Sequence, residues 1–512
     1  MDAAGPVAAY PGDDHLEYPG YLPGYRRYAG LGMSPFSPRV ATLPGGMTPG
    51  YGAPMPPDQW TFRFSGYMTA SLQFSTRPRP RAGEGHSETA IHVPPQTIDE
   101  YASFVGTSTV PGNWVNLRFA YGNPVVTANV SIDTWNPTRP TTYYQIGSQY
   151  FINNAFLSFV LPPIDNSLRL RWNVGYFTNS YGNLSRYGNG MYSNFLIGAA
   201  RGVGETLLAE YDLSDSIVGV IEHGIMGTRD GKAPNEVIPT AQNRWTNPIV
   251  PGSFIHHAHL GFIFKGKPTV QLQLHYMHNW SQEDRNDLPQ DNPQTPQVNE
   301  ADVPDGNLTV LGFNATIDSD PWGYLGVGAA YIEGEDVFTL RGLITYGNEG
   351  EHLTDRWWGV TTGGTGKLYV AAINYSASIG KMVAHPTPFG GDGPDIIVNA
   401  GFHIAGTETE FEPFDGRIRH KYALDVLYAF LPYVGAGVRA DRVVPSSKDS
   451  EETFHVLAPR LVFRSDWNSR EQITLLYAKW FYGSRTRNEG IGERTPARLD
   501  DQLFALNFNM WW

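Results

Sequence analysis

Apolar and polar residues alternate along most of the chain from Trp60 onward, with the period of two that is typical of β-strands. The end of the chain shows this most clearly, because one face there carries Phe504, Leu506, Phe508, Met510 and Trp512. The alternation predicts eighteen strands, over residues 60–76, 113–122, 124–135, 149–162, 167–178, 205–213, 216–226, 254–265, 268–280, 307–319, 323–334, 367–382, 395–405, 420–430, 432–445, 454–466, 470–483 and 501–512. Sixteen strands remains the alternative, because strand ends are the least certain part of such an assignment.

The segments that link the strands are alternately short and long. Short links such as 122–124 and 214–216 alternate with long polar links such as 227–253 and 281–306. A transmembrane β-barrel has this pattern, because its periplasmic turns are short and its outer loops are long. The link 383–394 is the exception, since it is long where a short periplasmic turn is expected.

The fold class predicted for residues 58–512 is therefore all-β, a transmembrane antiparallel up-and-down barrel of about eighteen strands. Lipid offers no hydrogen bonds to side chains, so the uniformly apolar face of each strand points outward and the polar face points inward. Barrels of sixteen or eighteen strands enclose an aqueous channel. We therefore expect a lumen that the inward side chains do not fill.

Residues 1–57 follow no strand pattern and contain eleven Pro and ten Gly. This composition predicts a flexible extension that adds nothing to the sheet. The alternative is a tether to the cell wall or to a partner protein. The first residues, Met1–Ala4, lack the basic and apolar segments of a secretory signal, so an exported protein with this start would be a processed or recloned form.

Composition and charge exclude several classes of function. The 512 residues carry a formal net charge of −13 without any Lys/Arg-rich run, which argues against a nucleic-acid partner. The absence of cysteine excludes disulfides, thiolate catalysis and cysteine-ligated metals. No nucleophile-elbow motif or phosphate-binding glycine loop is evident. The chain is therefore not expected to be an enzyme, and no cofactor is implied.

Two short segments carry a family resemblance. The strand Phe504–Trp512 ends on aromatic residues in a way that is similar to maltoporin-type sugar porins of Gram-negative outer membranes, and Phe64–Ser71 resembles the first strand of that family. The resemblance implies eighteen strands, an outer-membrane location, a homotrimer and passive diffusion of sugars. It also implies that Phe508, Met510 and Trp512 belong to the signal that the outer-membrane assembly machinery recognises.

Charged residues that the alternation places on the inward face are candidates for lining a pore. The basic candidates are Arg63, Arg118, Arg169, Arg171, Arg439, Arg460, Arg464 and, less clearly, Lys479. The acidic candidates are Asp133, Glu210, Asp212, Glu222, Asp318, Asp425 and Asp441. Basic groups that face acids across a constriction create a transverse field that orients polar solutes. The alternative for each residue is a local ion pair that only keeps the wall hydrated.

The long link 179–204 is a candidate constriction loop. It contains Tyr181, Tyr187, Tyr192 and Phe195 with few charges. Folded into the barrel, the loop would narrow the channel, and its aromatic rings would stack against sugar rings. The alternative is an ordinary surface loop with aromatic residues at the membrane rim, where Tyr and Trp concentrate.

The segment His256-His257-Ala258-His259 raises the question of a metal site. Alternation places only His257 and His259 together on the inward face, and no carboxylate is near in the sequence. A hydrated histidine pair is therefore favoured over a metal site, which needs more ligands.

These observations together predict a passive outer-membrane diffusion channel for small polar solutes, carbohydrates among them, surrounded by outer-membrane lipid. The alternative function is a plugged or non-conducting barrel that serves as an adhesin, an anchor or a scaffold for a partner.

Overall fold

The computed structural model describes most of the strand-forming part of the chain. The described residues are 60–75, 114–123, 125–135, 149–161, 167–183, 196–228, 253–281, 306–319, 321–335, 365–384, 394–409, 416, 418–444, 447–448, 450–465, 471–483 and 502–511. The extension 1–57 lies outside these ranges, so its predicted flexibility stays a prediction. No helix among the described residues is both long and apolar enough to cross a membrane.

Eighteen strands follow one another in the described ranges. They are β1 Thr61–Ser75, β2 Trp114–Gly122, β3 Val126–Trp135, β4 Gln149–Leu161, β5 Leu168–Asn183, β6 Leu196–Ser214, β7 Ile217–Thr228, β8 Ser253–Phe264, β9 Thr269–Ser281, β10 Gly306–Ser319, β11 Gly323–Glu335, β12 Thr365–Ser378, β13 Asp395–Thr409, β14 Ile418–Leu431, β15 Val434–Val444, β16 Phe454–Phe463, β17 Glu471–Tyr482 and β18 Gln502–Trp511. A helical turn α1, Ile379–Met382, follows β12, and a 3-10 turn at Ser450–Glu452 precedes β16.

Every strand pairs antiparallel with the strand that follows it in the chain. The first strand, β1, pairs with β2 through Phe64↔Phe119 and also with β18 through Leu72↔Leu506. The ring of pairings is therefore closed, and neither end strand is left with an unpaired edge. The all-β up-and-down barrel is confirmed, with eighteen strands rather than sixteen.

The two faces of the strands differ as the alternation predicts. On β16 the side chains of Val456, Ala458 and Arg460 are buried, whereas those of Leu457 and Leu461 are exposed. Large exposed apolar residues occupy the same outward face of most other strands, and examples are Phe62, Phe64, Ile221, Leu260, Phe262, Leu274, Phe313, Leu424 and Tyr428. An apolar outer surface of this kind matches a lipid surrounding, since lipid cannot hydrogen-bond polar side chains.

Short links hold one end of the barrel together. The link between β6 and β7 is two residues long, 215–216, and the link between β14 and β15 is 432–433. In the link between β2 and β3, Asn123 Oδ1 accepts hydrogen bonds from the backbone N–H groups of Val125 and Val126, each at 2.9 Å. This side-chain turn explains why Asn is suited to so short a connection.

The long link 383–394 follows the helical turn α1, which Ser378 and Asp395 hold in place. The Ser378 hydroxyl accepts a hydrogen bond from the Lys381 backbone N–H at 3.1 Å and donates to Asp395 Oδ2 at 2.6 Å. Asp395 Oδ1 also accepts from the Gly380 backbone N–H at 2.8 Å. The predicted strand 367–382 is thus wrong over its last four residues, because a capped helical turn forms there.

The predicted link 179–204 is also wrong in its bounds. Strands β5 and β6 continue to pair as far as Asn183↔Leu196, so only residues 184–195 separate them. The pattern missed this extension because glycines and alanines interrupt the alternation there, for example Gly198 opposite Tyr181. Backbone hydrogen bonds continue a hairpin above a membrane whatever its side chains are.

Candidate functional site

The inward face of β5, β6 and β7 carries a group of ion pairs. Arg169 Nε donates to Glu210 Oε2 at 3.2 Å, and Arg169 Nη1 and Nη2 donate to the two oxygens of Asp212 at 2.5 and 3.1 Å. Lys265 Nζ, at the turn after β8, lies 3.3 Å from Asp212 Oδ1. Glu210 and Asp212 are two residues apart on one strand, so they share a face and present two carboxylates to one arginine.

A second level of this wall lies further from the short links. Leu208 of β6 is opposite Arg171 of β5 on one side and opposite Glu222 of β7 on the other. Thr206 Oγ1 donates to Glu222 Oε1 at 3.1 Å, and His257 Nε2 lies 3.7 Å from the same oxygen. We call the inward residues of β5–β8 that carry these contacts the β5–β8 wall.

A row of histidines continues from this wall toward β9. The ring of His259 lies 5.9 Å from that of His257 and 6.3 Å from that of His275. Gly224 makes room for this row, because a Cβ at that position would lie 2.5 Å from His257 Cε1. A larger residue at Gly224 would therefore displace the His257 ring.

The histidine-rich segment of β8 is divided between the two faces. His257 and His259 point inward, as alternation predicts, whereas His256 points outward and its Nε2 lies 2.8 Å from His223 Nε2. Within the described ranges, no three His, Asp or Glu side chains come together in a way that would hold a metal ion.

The inward face of β14, β15 and β16 carries a second group of ion pairs, which we call the β14–β16 wall. Arg460 Nη2 donates to Asp425 Oδ1 at 2.6 Å. Arg439 donates to both oxygens of Asp441, at 2.7 and 2.9 Å, and Lys421 Nζ lies 3.7 Å from Asp441 Oδ1.

The two walls differ in charge and lie opposite each other in the ring. Strands β6 and β15 are nine strands apart in both directions around the eighteen. On the β5–β8 wall Arg169, Arg171 and Lys265 face the three carboxylates of Glu210, Asp212 and Glu222, whereas the β14–β16 wall, with Arg464 included, has four cations and two carboxylates. A balanced wall opposite a wall with excess positive charge is an arrangement that creates a transverse field.

The expectation of an unfilled lumen is wrong for part of the barrel. The inward side chains of Glu222 and Lys421 are 0% exposed, and Cα atoms of β5 and β10 approach within 8 Å across the interior. An apolar cluster on the inward face of β6–β8 consists of Leu208, Val218, Val220 and Ile263. Apolar inward residues pack against one another instead of holding water, so this part of the interior is closed.

The structure places most charged candidates on the inward face. Described side chains that point inward are Arg118, Arg169, Arg171, Glu210, Asp212, Glu222, Asp318, Asp425, Arg439, Asp441, Arg460 and Arg464. Lys479 was wrongly placed: its Nζ lies 4.6 Å from the ring of Phe481, on the outward face. Arg63 lies in β1 and Asp133 in β3, but their side chains are outside the described part of the chain.

The sequence candidates omitted Lys421, a fully buried member of the β14–β16 wall. Its signal was present, because the period of two that runs through Asp425 and Ala423 also reaches Lys421. The position was missed because Lys421 is close to the predicted start of the strand, where the alternation is short.

The remaining candidates fall partly outside the described residues. Tyr187, Tyr192 and Phe195 lie there, as does the side chain of Tyr181, so a constriction formed by these aromatics stays a prediction. At the end of the chain, Phe508 and Met510 are exposed on the outward face, while Trp512 lies outside the described ranges. Their role in assembly also stays a prediction.

Comparison with known proteins does not assign the chain to a family. No family model and no curated protein matches its sequence. Among solved structures, the outer membrane channel DcaP of Acinetobacter baumannii is similar with a TM-score of 0.40 and 9% identity, over 88% of this chain and 97% of that chain. OmpT, an outer membrane protein of Vibrio cholerae in its trimer form, has a TM-score of 0.36 and 10% identity over 89% and 100%. Pseudomonas aeruginosa OccK5 (OpdH) has a TM-score of 0.38 and 8% identity over 88% and 98%.

Proposed function

We propose that this protein is an outer-membrane channel through which small polar solutes diffuse passively. The observation that carries the proposal is the closed eighteen-stranded ring, with exposed apolar side chains outward and ion-paired side chains inward. The outer surface is suited to lipid, and the inner surface offers hydrogen bonds and charge to a solute that must leave bulk water. Short links at one end and long links at the other match an orientation with the short turns in the periplasm.

The mechanism that fits this geometry is charge-biased diffusion. A polar solute between the β5–β8 wall and the β14–β16 wall would be oriented by their unequal charge. Arg169 already holds the carboxylates of Glu210 and Asp212 through direct hydrogen bonds, and the side chains of Arg169 and Asp212 stay partly exposed, so a passing solute exchanges hydrogen bonds with groups that are held in place. Preoriented charges of this kind lower the cost of removing water from a polar solute.

The proposal includes carbohydrates among the solutes and a homotrimer as the assembled form. Support for sugars comes from the resemblance of the chain ends and from the aromatic residues of the link between β5 and β6. The assembly machinery of the outer membrane would recognise the outward residues Phe508 and Met510 with the terminal tryptophan. Current blockade by a graded series of oligosaccharides tests the sugar part, and the mass of the detergent-solubilised complex tests the trimer.

A second function is favoured by the closed part of the interior. The approach of β5 to β10 and the buried cluster of Leu208, Val218, Val220 and Ile263 match a barrel that does not conduct. Such a barrel would serve as an adhesin, an anchor or a scaffold, with residues 1–57 as the segment that contacts a partner.

Conductance of the purified protein in a planar lipid bilayer decides between the two functions. Discrete current steps at neutral pH are the result that a diffusion channel gives. Protection of the barrel from protease in the same bilayers shows that the protein has inserted. Insertion without current steps contradicts the diffusion channel and favours the non-conducting scaffold. Val220→Ala tests where the barrier to conduction lies, because it removes side-chain volume from the closed region of the interior. Ile221→Ala, on the outward face of the same strand, is the matched control.

A further inference from the structure

A basic patch lies on the outward face of β14–β17, with one residue from each strand. Arg442 is directly opposite His455 in the register of β15 and β16. His420 is opposite Val444, two residues from Arg442, and Lys479 is opposite Leu457, two residues from His455. Outward side chains in directly opposite and diagonal positions are neighbours on a sheet, so the four residues form one continuous basic patch.

The basic patch lies at a defined height on the barrel. Arg442, His455 and Lys479 are each eight residues from the inner ends of their strands, which are Val434, Phe463 and Glu471. A strand rises about 3.3 Å per residue and tilts by about 40°, so eight residues span about 20 Å along the barrel axis. The lipid-facing apolar band of such barrels is about 25 Å tall. The patch therefore lies at the outer margin of the band, where headgroups begin.

Charge on the basic patch is not balanced by protein groups in the described part of the chain. Arg442 is exposed and forms no ion pair with any described carboxylate, and the Lys479 ammonium lies over the ring of Phe481. A lysine elsewhere on the outward face behaves differently, because Lys367 Nζ on β12 lies 3.9 Å from Glu333 Oε1. An unbalanced cation on a lipid-facing surface is costly unless an anion reaches it from the membrane.

We propose that the basic patch binds the phosphate group of a lipid headgroup in the outer leaflet. Arg442 offers a planar pair of donors that matches two phosphate oxygens, and Lys479 adds a point charge from the next-but-one strand. Both side chains are long enough to extend toward the headgroups while their stems stay against apolar surface. This inference rests on the proposed outer-membrane location, but not on whether the barrel conducts.

Native mass spectrometry of the full chain, purified in detergent, tests the inference with lipid A as the probe. The double variant Arg442→Gln/Lys479→Gln removes two charges with little change in size. We expect it to weaken binding of lipid A about tenfold or more, since two charge-assisted contacts are lost. Lys367→Gln is the matched control, because it removes an outward charge that Glu333 already balances, and its binding should equal that of the wild type.

Two further arms identify the source of the phosphate. Lipid A without its phosphate groups should bind no better to the wild type than to the double variant. Excess inorganic phosphate should leave the bound lipid in place, and complete displacement would show a site for free phosphate and overturn the lipid assignment. Equal lipid A binding by the double variant and the Lys367→Gln control would also overturn it.

The same preparations separate this inference from the proposed location. If the wild-type protein does not insert into lipid bilayers, the outer-membrane location itself is contradicted. If the double variant inserts as the wild type does and keeps its affinity for lipid A, only the basic patch is contradicted.

Discussion

The ion pair between Arg460 and Asp425 gives the sharpest test of how the interior is packed. Arg460 Nη2 lies 2.6 Å from Asp425 Oδ1, and the two side chains are 1% and 5% exposed. Asp425→Asn keeps the size of the side chain and removes its charge, so Arg460 keeps a neutral partner. The β14–β16 wall would then hold four cations and one carboxylate. Removing one partner of a buried pair costs about 3–5 kcal/mol, because the other charge is left in a medium of low dielectric constant.

A matched control on the outward face isolates the effect of burial. Glu333→Gln removes one carboxylate from the pair with Lys367, whose atoms are 3.9 Å apart and whose side chains are 43% and 51% exposed. Exposed pairs contribute at most about 1 kcal/mol. Urea unfolding of each variant in phospholipid vesicles, followed by tryptophan fluorescence, gives the free energy of unfolding from the midpoint and slope.

The comparison also bears on the proposed function. A loss several-fold larger for Asp425→Asn than for Glu333→Gln is expected from the buried geometry. An equal loss of 1 kcal/mol or less, by the scale of exposed pairs, would refute the reasoning, because it would show that water reaches Arg460. The interior at this wall would then be hydrated, as a wide lumen requires.

The remaining predictions concern selectivity, assembly and the extension. Replacing Arg169 and Arg171 by Ala removes two positive charges from the β5–β8 wall, so reversal potentials in a salt gradient should shift toward cation selectivity; unchanged potentials would show that the conducting path avoids them. Deleting Trp511 and Trp512 should block insertion but not synthesis, as measured by membrane fractionation, and normal membrane levels would refute an assembly role. Deleting residues 1–57 should leave folding and conductance intact, because the segment has no strand pattern; loss of either in bilayer recordings would make it a plug or a structural element.

Much of the inner wall could be read from the sequence, because a period of two assigns every residue of a strand to one of two faces. Arg169, Glu210, Asp425 and Arg460 were placed correctly in this way. Their partners were not readable, since Asp425 and Arg460 are 35 residues apart and meet only across the intervening strand β15. Lys479 was misplaced because β17 has apolar residues on both faces near its outer end, where the alternation gives no direction.

The sequence by itself determined the fold class, the number of strands and the order of short and long links. Those features depend on local alternation and on turn residues such as Asn123, which act within a few positions. Only the tertiary structure decided which charges pair, that two walls of unequal charge face each other, and that the interior closes between β5 and β10. These depend on the closure of the ring, which joins β1 to β18 and brings together residues hundreds of positions apart. Local alternation specifies the face of the strand to which each side chain points. It does not specify which side chain from another strand will lie next to it.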